Sequence, residues 1–187
     1  SKYFSGIVAF ENKNNTVALD FFNSSKILVN KHDPYLKRYV YSLVLENKIS
    51  QAINILKNNK GKTNSNFFDA YLLLVLDSLK KNDFKRASSY LKKTANITGL
   101  DRLNLAIIES LNHYIFVFEE KKILDKKKTL GKLSNISDTF QRCYLGHDDT
   151  DTYFSNLIND NDGDYTRYIF FYLSYLIGEN RIEDAKQ

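Results

Sequence analysis

Asn82-Asp83-Phe84-Lys85-Arg86-Ala87-Ser88-Ser89-Tyr90-Leu91 is a polar turn that runs into an aromatic residue. Ala87 follows Phe84 by three residues, and Tyr90 and Leu91 lie three and four further on. Apolar residues at these offsets share one helix face. The stretch therefore predicts the start of a second helix, packed back on the apolar helix over 67–81 that precedes it.

The same arrangement occurs at Asn14-Asn15-Thr16-Val17-Ala18-Leu19-Asp20-Phe21-Phe22 and at Asn47-Lys48-Ile49-Ser50-Gln51-Ala52-Ile53-Asn54-Ile55-Leu56. Ala18, Ala52 and Ala87 thus recur at a nearly constant interval. An interval of about 34 residues is the mark of a stacked helical repeat. A further copy stands at Gly178-Glu179-Asn180-Arg181-Ile182-Glu183-Asp184-Ala185. A degenerate one, Gly146 to Tyr153, precedes it by slightly less than one period. Two antiparallel helices approach to roughly 8–10 Å, and the bulk at their crossing sets the distance. A small residue there lets the backbones close up.

With that period and helix-turn-helix form the chain resembles the tetratricopeptide repeat family. The family's small residue midway along the first helix is matched by Gly6. The small residue early in the second helix is matched by Ala18, Ala52, Ala87 and Ala185. Phe84 stands for the aromatic that opens the second helix, with Ile49 and Ile182 as aliphatic substitutes. Departures are plain: there is no Trp, Val40, Val75 and Leu173 stand where Gly6 does, and Pro34 opens a helix instead of closing a repeat. The resemblance implies an all-α, right-handed superhelical solenoid of antiparallel helix hairpins. Residues 1–97 would hold three hairpins, and 98–187 degenerate ones, the last truncated mid-helix, as if the array continued past Gln187.

Composition agrees with an all-helical chain. Of the 187 residues 43% are hydrophobic and 14% aromatic, enough for a core, while seven Gly and one Pro are few for a turn-rich β fold. The lean to Lys, Asn, Ile, Phe and Tyr resembles proteins of AT-rich bacterial genomes, a clue to source and not to function; the single Cys143 leaves the compartment open between bacterial cytoplasm and periplasm, with the leader absent from this chain. Net charge is +5, carried by 21 Lys and 6 Arg spread along the chain. Nucleic-acid binders concentrate charge on one face and use Arg on bases, so this distribution argues against nucleic acid. No apolar run reaches the roughly 20 residues of a membrane span.

Along the chain the periodicity predicts helices over 2–13, 15–29, Asp33 (as a cap) to Glu46, Ser50 to Asn58, 67–81, 84–96 and Asp101 to Lys122. Lys57–Asn66 reads as a polar loop around Gly61. After Lys122 the register slips. A short helix ending near Leu133, a shortened hairpin over 137–146 and 150–159, and a nearly all-apolar helix over 164–177 follow. The last partner helix begins at Ile182.

No residue cluster carries catalytic chemistry. His32, His113 and His147 are isolated, and none has the i, i+4 partner of a helical metal site. His113 falls on an apolar helix, as a core histidine does. Cys143 has no neighbouring His and reads as a structural thiol. Asp160-Asn161-Asp162-Gly163-Asp164 resembles part of a calcium loop. Ile158 and Ile169 stand where a full loop needs acidic ligands, so a loop with Asp164 as a helix cap fits better. The expectation is a non-enzyme without metal or cofactor. Lys121–Lys132 could meet phosphate, but has no interleaved aromatics to stack on bases.

The resemblance implies a protein-interaction scaffold that holds a peptide or helix in a concave groove lined by the first helices. The groove residues would be Ile7, Phe10, Glu11, Lys37, Tyr41, Val44, Leu45, Leu72, Leu76 and Lys80, few of them charged. Leu72 and Leu76 fit interhelical packing equally well. Two alternatives use other features: the substrate-recruiting part of a larger enzyme or of a secretion or envelope assembly, and a Lys patch for nucleic acid or anionic membrane. The apolar 165–177 helix, with Tyr168, Phe171, Tyr172 and Tyr175, predicts self-association.

Overall fold

The computed structural model describes residues 1–59, 65–124, 131–159 and 166–186, apart from the side chains of Asp33, Lys132 and Thr166. Its described residues form helices and turns, with no strand. The helices are α1 (Lys2–Glu11), α2 (Asn15–Asn23), α3 (Asp33–Leu45), α4 (Ile49–Asn58), α5 (Phe68–Lys80), α6 (Phe84–Lys93), α7 (Arg102–Glu120), α8 (Lys132–Leu145), α9 (Thr150–Ile158) and α10 (Ile169–Gly178). Short 3-10 turns cover Lys26–Asn30, Thr94–Asn96, Thr166–Tyr168 and Asp184–Lys186. The chain divides into two compact units, Ser1–Ile108 and Glu109–Gln187. The division falls inside α7.

In the first unit one turn is built three times. The Lys13 N–H donates to the Phe10 carbonyl at 2.9 Å and the Asn14 N–H to the Ala9 carbonyl at 2.9 Å. Asn47 and Lys48 donate in the same way to Val44 (3.0 Å) and Leu43 (2.7 Å), and Asn82 and Asp83 to Leu79 and Ser78 (both 2.9 Å). This is the Schellman closure, in which one residue past the helix end turns left-handed and satisfies otherwise orphaned carbonyls. The left-handed residues are Lys13 (φ 59°), Asn47 (57°) and Asn82 (56°). Asn tolerates that region better than most side chains. The next residue then caps the returning helix in two of the three: Asn14 Oδ1 accepts from Val17 and Asp83 Oδ1 from Arg86.

Five residues after each left-handed residue comes an alanine with no exposed surface: Ala18, Ala52 and Ala87. On the first helices Gly6 is buried, and Val40 and Val75, one and two periods on, have no exposed surface. The contact at Gly6 is the tightest. A Cβ there would lie 2.8 Å from Phe22 Cε1 and 3.1 Å from Phe21 Cβ. Only glycine lets α1 sit so close to α2. Phe22 is in turn held among the rings of Tyr3, Phe10 and Tyr35. Hairpin joins hairpin through polar contacts, buried at Tyr35 and part-buried at Tyr39 and at Lys57–Asp77. Tyr35 Oη donates to the Phe22 carbonyl at 2.6 Å, and Tyr39 Oη to Asn23 Oδ1 at 2.8 Å. Asp77 on α5 accepts from Lys57 on α4 at 2.7 Å and from Lys81 at 2.6 Å.

Several expected boundaries shift. The helix expected over 15–29 ends at Asn23 and continues as a 3-10 turn, because Ser24 and Ser25 turn their hydroxyls onto the Asp20 and Phe21 carbonyls. Lys57 and Asn58 are helical, and the rest of the loop around Gly61 lies largely outside the described residues. Asp33, expected as a cap, is the first residue of α3, whose N-cap position falls to His32 without a side-chain cap bond; the Asp33 side chain is outside the described residues. Asp101 does cap α7, its Oδ1 accepting from the Asn104 N–H at 2.7 Å.

In the second unit Leu133 lies in the first turn of α8, not at the end of a short helix. The turn joining α8 to α9 repeats the Schellman closure, with Gly146 at φ 67° and the His147 N–H donating to the Arg142 carbonyl. A fifth copy follows α10, with Asn180 at φ 57° and the Arg181 N–H donating to the Leu176 carbonyl at 2.8 Å. Asn180 follows Gly146 at the same spacing at which Asn47 follows Lys13. The hairpin period therefore returns here, although the α8 side chains obscure it. Phe154 is fully buried and packs against Phe140, Tyr172 and Tyr175. The segment after Ile182 forms only the 3-10 turn Asp184–Lys186, in place of the expected helix start. Arg181 ties it down, bridging Asp151 at 2.9 Å and Asp184 at 2.7 Å.

Candidate functional site

All ten residues expected in the groove belong to α1, α3 and α5, the first helix of each hairpin. Gly6 on α1 faces α2, and Val40 and Val75 are the fully buried residues at the matching places on α3 and α5. Ile7, Tyr41 and Leu76, one position on, are turned by about 100° from the stripe of these crossing residues, whereas Phe10, Val44 and Leu72, three or four positions from a crossing residue, lie along it. Glu11, Lys37, Leu45, Leu76 and Lys80 are exposed, and Ile7, Phe10, Tyr41, Val44 and Leu72 are half-buried. None of the ten is in the core. Leu76, which fitted interhelical packing as well as the groove, is 47% exposed.

Four of the ten are brought together with two residues that were not expected. Phe10, Glu11, Pro34, Lys37, Arg38 and Tyr41 line one concavity of about 320 Å³ between α1 and α3. Tyr41, Lys37 and Arg38 each have a partner. Tyr41 Oη donates to Asp69 Oδ2 on α5 at 2.6 Å. Burial, and then the neighbouring Asp69 carboxylate, push the Tyr41 hydroxyl far above the ordinary tyrosine value, so it stays protonated and donating. The Tyr41 ring meets Phe67 edge-on at 6.5 Å. Lys37 Nζ lies over both rings, 5.6 Å from Tyr41 and 5.8 Å from Phe67. Arg38 reaches across to Tyr3 on α1, its guanidinium donating to the hydroxyl at 3.3 Å.

Chemically the concavity can take an apolar side chain against Phe10, Pro34 and Tyr41. Lys37 and Arg38 outnumber Glu11 at its rim, so a partner with a carboxylate beside an apolar group suits it best. Arg38 carried no repeat signal, because Phe4, one period before it, does not line the concavity. Asp69 carried no such signal, because its role depends on where the Tyr41 hydroxyl ends.

The residues considered for chemistry are dispersed. His113 is buried, with its Nε2 3.3 Å from Glu109 Oε1, while His32 and His147 are exposed. Cys143 is half-buried, and burial followed by the nearby Glu179 raises its thiol above the ordinary value. Among the described residues no group of three or more His, Cys, Asp or Glu is placed to hold a metal ion. The calcium-like Asp160–Asp164 stretch lies outside them, as do Lys126–Lys128 of the Lys-rich run. Of that run Lys121 stands over the Tyr144 ring at 4.6 Å and hydrogen-bonds its hydroxyl. No helix among the described residues is long and apolar enough to cross a membrane.

On α10 the exposed apolar residues are Phe170 (76%), Phe171 and Ile177, with Ser174 between them. Tyr172 and Tyr175 are not part of that patch. They stack on Phe154, and Tyr172 Oη donates to Asp151 Oδ1 at 2.6 Å. Tyr168 is half-buried beside Phe140.

Comparison of the chain with protein-family models, with curated proteins and with solved structures finds no match.

Proposed function

We propose that the first unit is a tetratricopeptide-like solenoid and that it serves as a non-catalytic scaffold, binding a peptide or helix of a partner protein on the open face of α1, α3 and α5. The observation that carries this reading is the repeated construction of the hairpin. The same Schellman turn, the same fully buried alanine five residues on and the same small or β-branched crossing residue recur at one nearly constant interval. Each hairpin of such an array contacts only its neighbours, and the aligned first helices leave one continuous surface for a ligand. Lining by Phe10, Tyr41, Leu45, Leu72 and Leu76 favours an apolar ligand face, while Lys37 and Arg38 favour an acidic residue next to it.

Selection of peptides from a display library, followed by calorimetry on the selected sequences, tests this. Winners should share an aromatic or aliphatic anchor beside Asp or Glu. Tyr41→Ala and Lys37→Glu should each weaken binding by roughly 1–3 kcal/mol while α-helical content is unchanged. Selected peptides whose binding is indifferent to both variants would place recognition elsewhere and overturn the reading.

A further inference from the structure

A second concavity, with no lining residue in common with the α1–α3 groove, lies where the start of α1 meets the end of α2. It measures about 580 Å³ and is lined by Ser1, Lys2, Tyr3, Ser24, Ser25, Ile27, Leu28, Lys31 and His32. This is within the roughly 300–1,000 Å³ of pockets that take small organic ligands. The 3-10 turn Lys26–Asn30 creates it. Had α2 run on to residue 29, Ile27 and Leu28 would follow the helical spiral. Instead the chain tightens after Ser25 and leaves Ile27 72% exposed at the pocket, with Leu28 half-buried beside it.

The chemistry of the lining is one-sided. Tyr3, Ile27 and Leu28 give it an apolar wall, and Tyr3 is braced by His32 in an edge-on contact at 5.1 Å. Lys2 and Lys31 are exposed, and neither forms an ion pair among the described residues. No carboxylate lines the pocket among the described side chains. The Ser24 and Ser25 hydroxyls donate to the carbonyls of Asp20 and Phe21, which leaves their oxygens able to accept but not to hold an anion. Two uncompensated ammonium groups beside an apolar wall make a site that is complementary to one ligand class.

We propose that this pocket binds a carboxylate carried on an apolar body, the carboxylate meeting Lys2 and Lys31 and the apolar part lying against Ile27, Leu28 and Tyr3. Charge-assisted hydrogen bonds supply orientation, and burial of the apolar part supplies most of the affinity. Two sources offer that chemistry, a free alkyl carboxylate and a peptide ending in a free C-terminal leucine.

Calorimetric titration of the whole chain with octanoate, octanamide, and an N-acetylated peptide ending in Leu as free acid or as amide tests it. Binding of a free acid at millimolar concentration or better, with its amide at least about tenfold weaker, is the expected result. The stronger of the two acids identifies the source. Lys31→Glu should weaken the acid by roughly tenfold or more and Lys31→Arg should restore it, while Ile27→Asp should abolish binding of either acid. Both positions are exposed, and unchanged circular dichroism verifies the fold of each variant. The proposal fails if neither acid binds, if acid and amide bind alike, or if Lys31→Glu leaves the affinity unchanged.

Discussion

Gly6→Ala adds one methyl group at the closest helix approach of the first unit. The added carbon would stand 2.8 Å from Phe22 Cε1, 2.9 Å from Cδ1 and 3.1 Å from Phe21 Cβ. The Phe22 ring cannot swing aside. It has no exposed surface and is enclosed by Tyr3 at 6.0 Å, Tyr35 at 6.0 Å and Phe10 at 6.5 Å between centroids. Overpacking of this kind costs about 1–3 kcal/mol, and a boxed aromatic ring puts it at about 2–3 kcal/mol. Alanine returns about 1 kcal/mol through its better helix propensity. The net is a loss of about 1–2 kcal/mol. Gly178→Ala is the control, since nothing lies within 4 Å of a Cβ there and the propensity gain, smaller at this last residue of α10, is unopposed. Hydrogen exchange resolved by peptide suits the assay, because it reads α1–α2 and α10 separately in a chain of two units. Protection should fall over residues 2–23 in Gly6→Ala and hold or rise over α10 in Gly178→Ala. Adding Phe22→Leu to Gly6→Ala should recover part of the loss, since the two sites share one contact. If Gly6→Ala is as protected as the wild type, or if the double variant is merely additive, close approach is not what keeps glycine at this position.

Other substitutions test the repeat and the charges. Ala52→Leu and Ala87→Leu, at sites without exposed surface, should each lower stability by about 1–3 kcal/mol, while Ala9→Leu, half-buried, should cost less; equal shifts in thermal midpoint at all three would remove the crossing-point argument. Lys13→Asn should stabilise the first hairpin by up to about 1 kcal/mol, because Lys13 holds φ 59° where Asn47 and Asn82 hold it at less strain; a neutral or adverse change in denaturant midpoint counts against it. Burial would raise the Asp77 carboxyl, but Lys57 and Lys81 outweigh it and hold it below the ordinary value. A depressed carboxyl stabilises above its unfolded pKa of about 3.9 and loses that contribution as pH falls through the folded value, so α4–α5 protection should decline on acidification below about pH 4, and less so in Asp77→Asn. On α10, Phe170 and Ile177 should drive self-association, which Phe170→Lys with Ile177→Lys should reduce in sedimentation; a wild type that sediments as a clean monomer at high concentration refutes it.

Legibility in the sequence followed the physics of each element. The hairpins of the first unit were readable because their crossing demands small residues, and Ala18, Ala52 and Ala87 are few enough in this chain for their spacing to stand out. The turn between the helices was less readable, since its identity lies in backbone geometry. Lys13, Asn47, Asn82, Gly146 and Asn180 share a left-handed conformation although three residue types occupy it. Aligning those positions restores the full period between Gly146 and Asn180, where side-chain matching gave a shorter one. The α10 patch was misplaced for a related reason. An all-apolar helix has no moment to say which side packs, and only the Tyr172–Asp151 hydrogen bond, with stacking on Phe154, turns Tyr172 inward and Phe170 out. The second concavity had no pattern to announce it. It exists because Ser24 and Ser25 tighten the end of α2 by bonding back to the helix, a local competition between side chain and backbone that periodicity does not register. Where a feature depends on repeating small residues the sequence carries it openly. Where it depends on how a single polar group is satisfied, only the folded arrangement shows it.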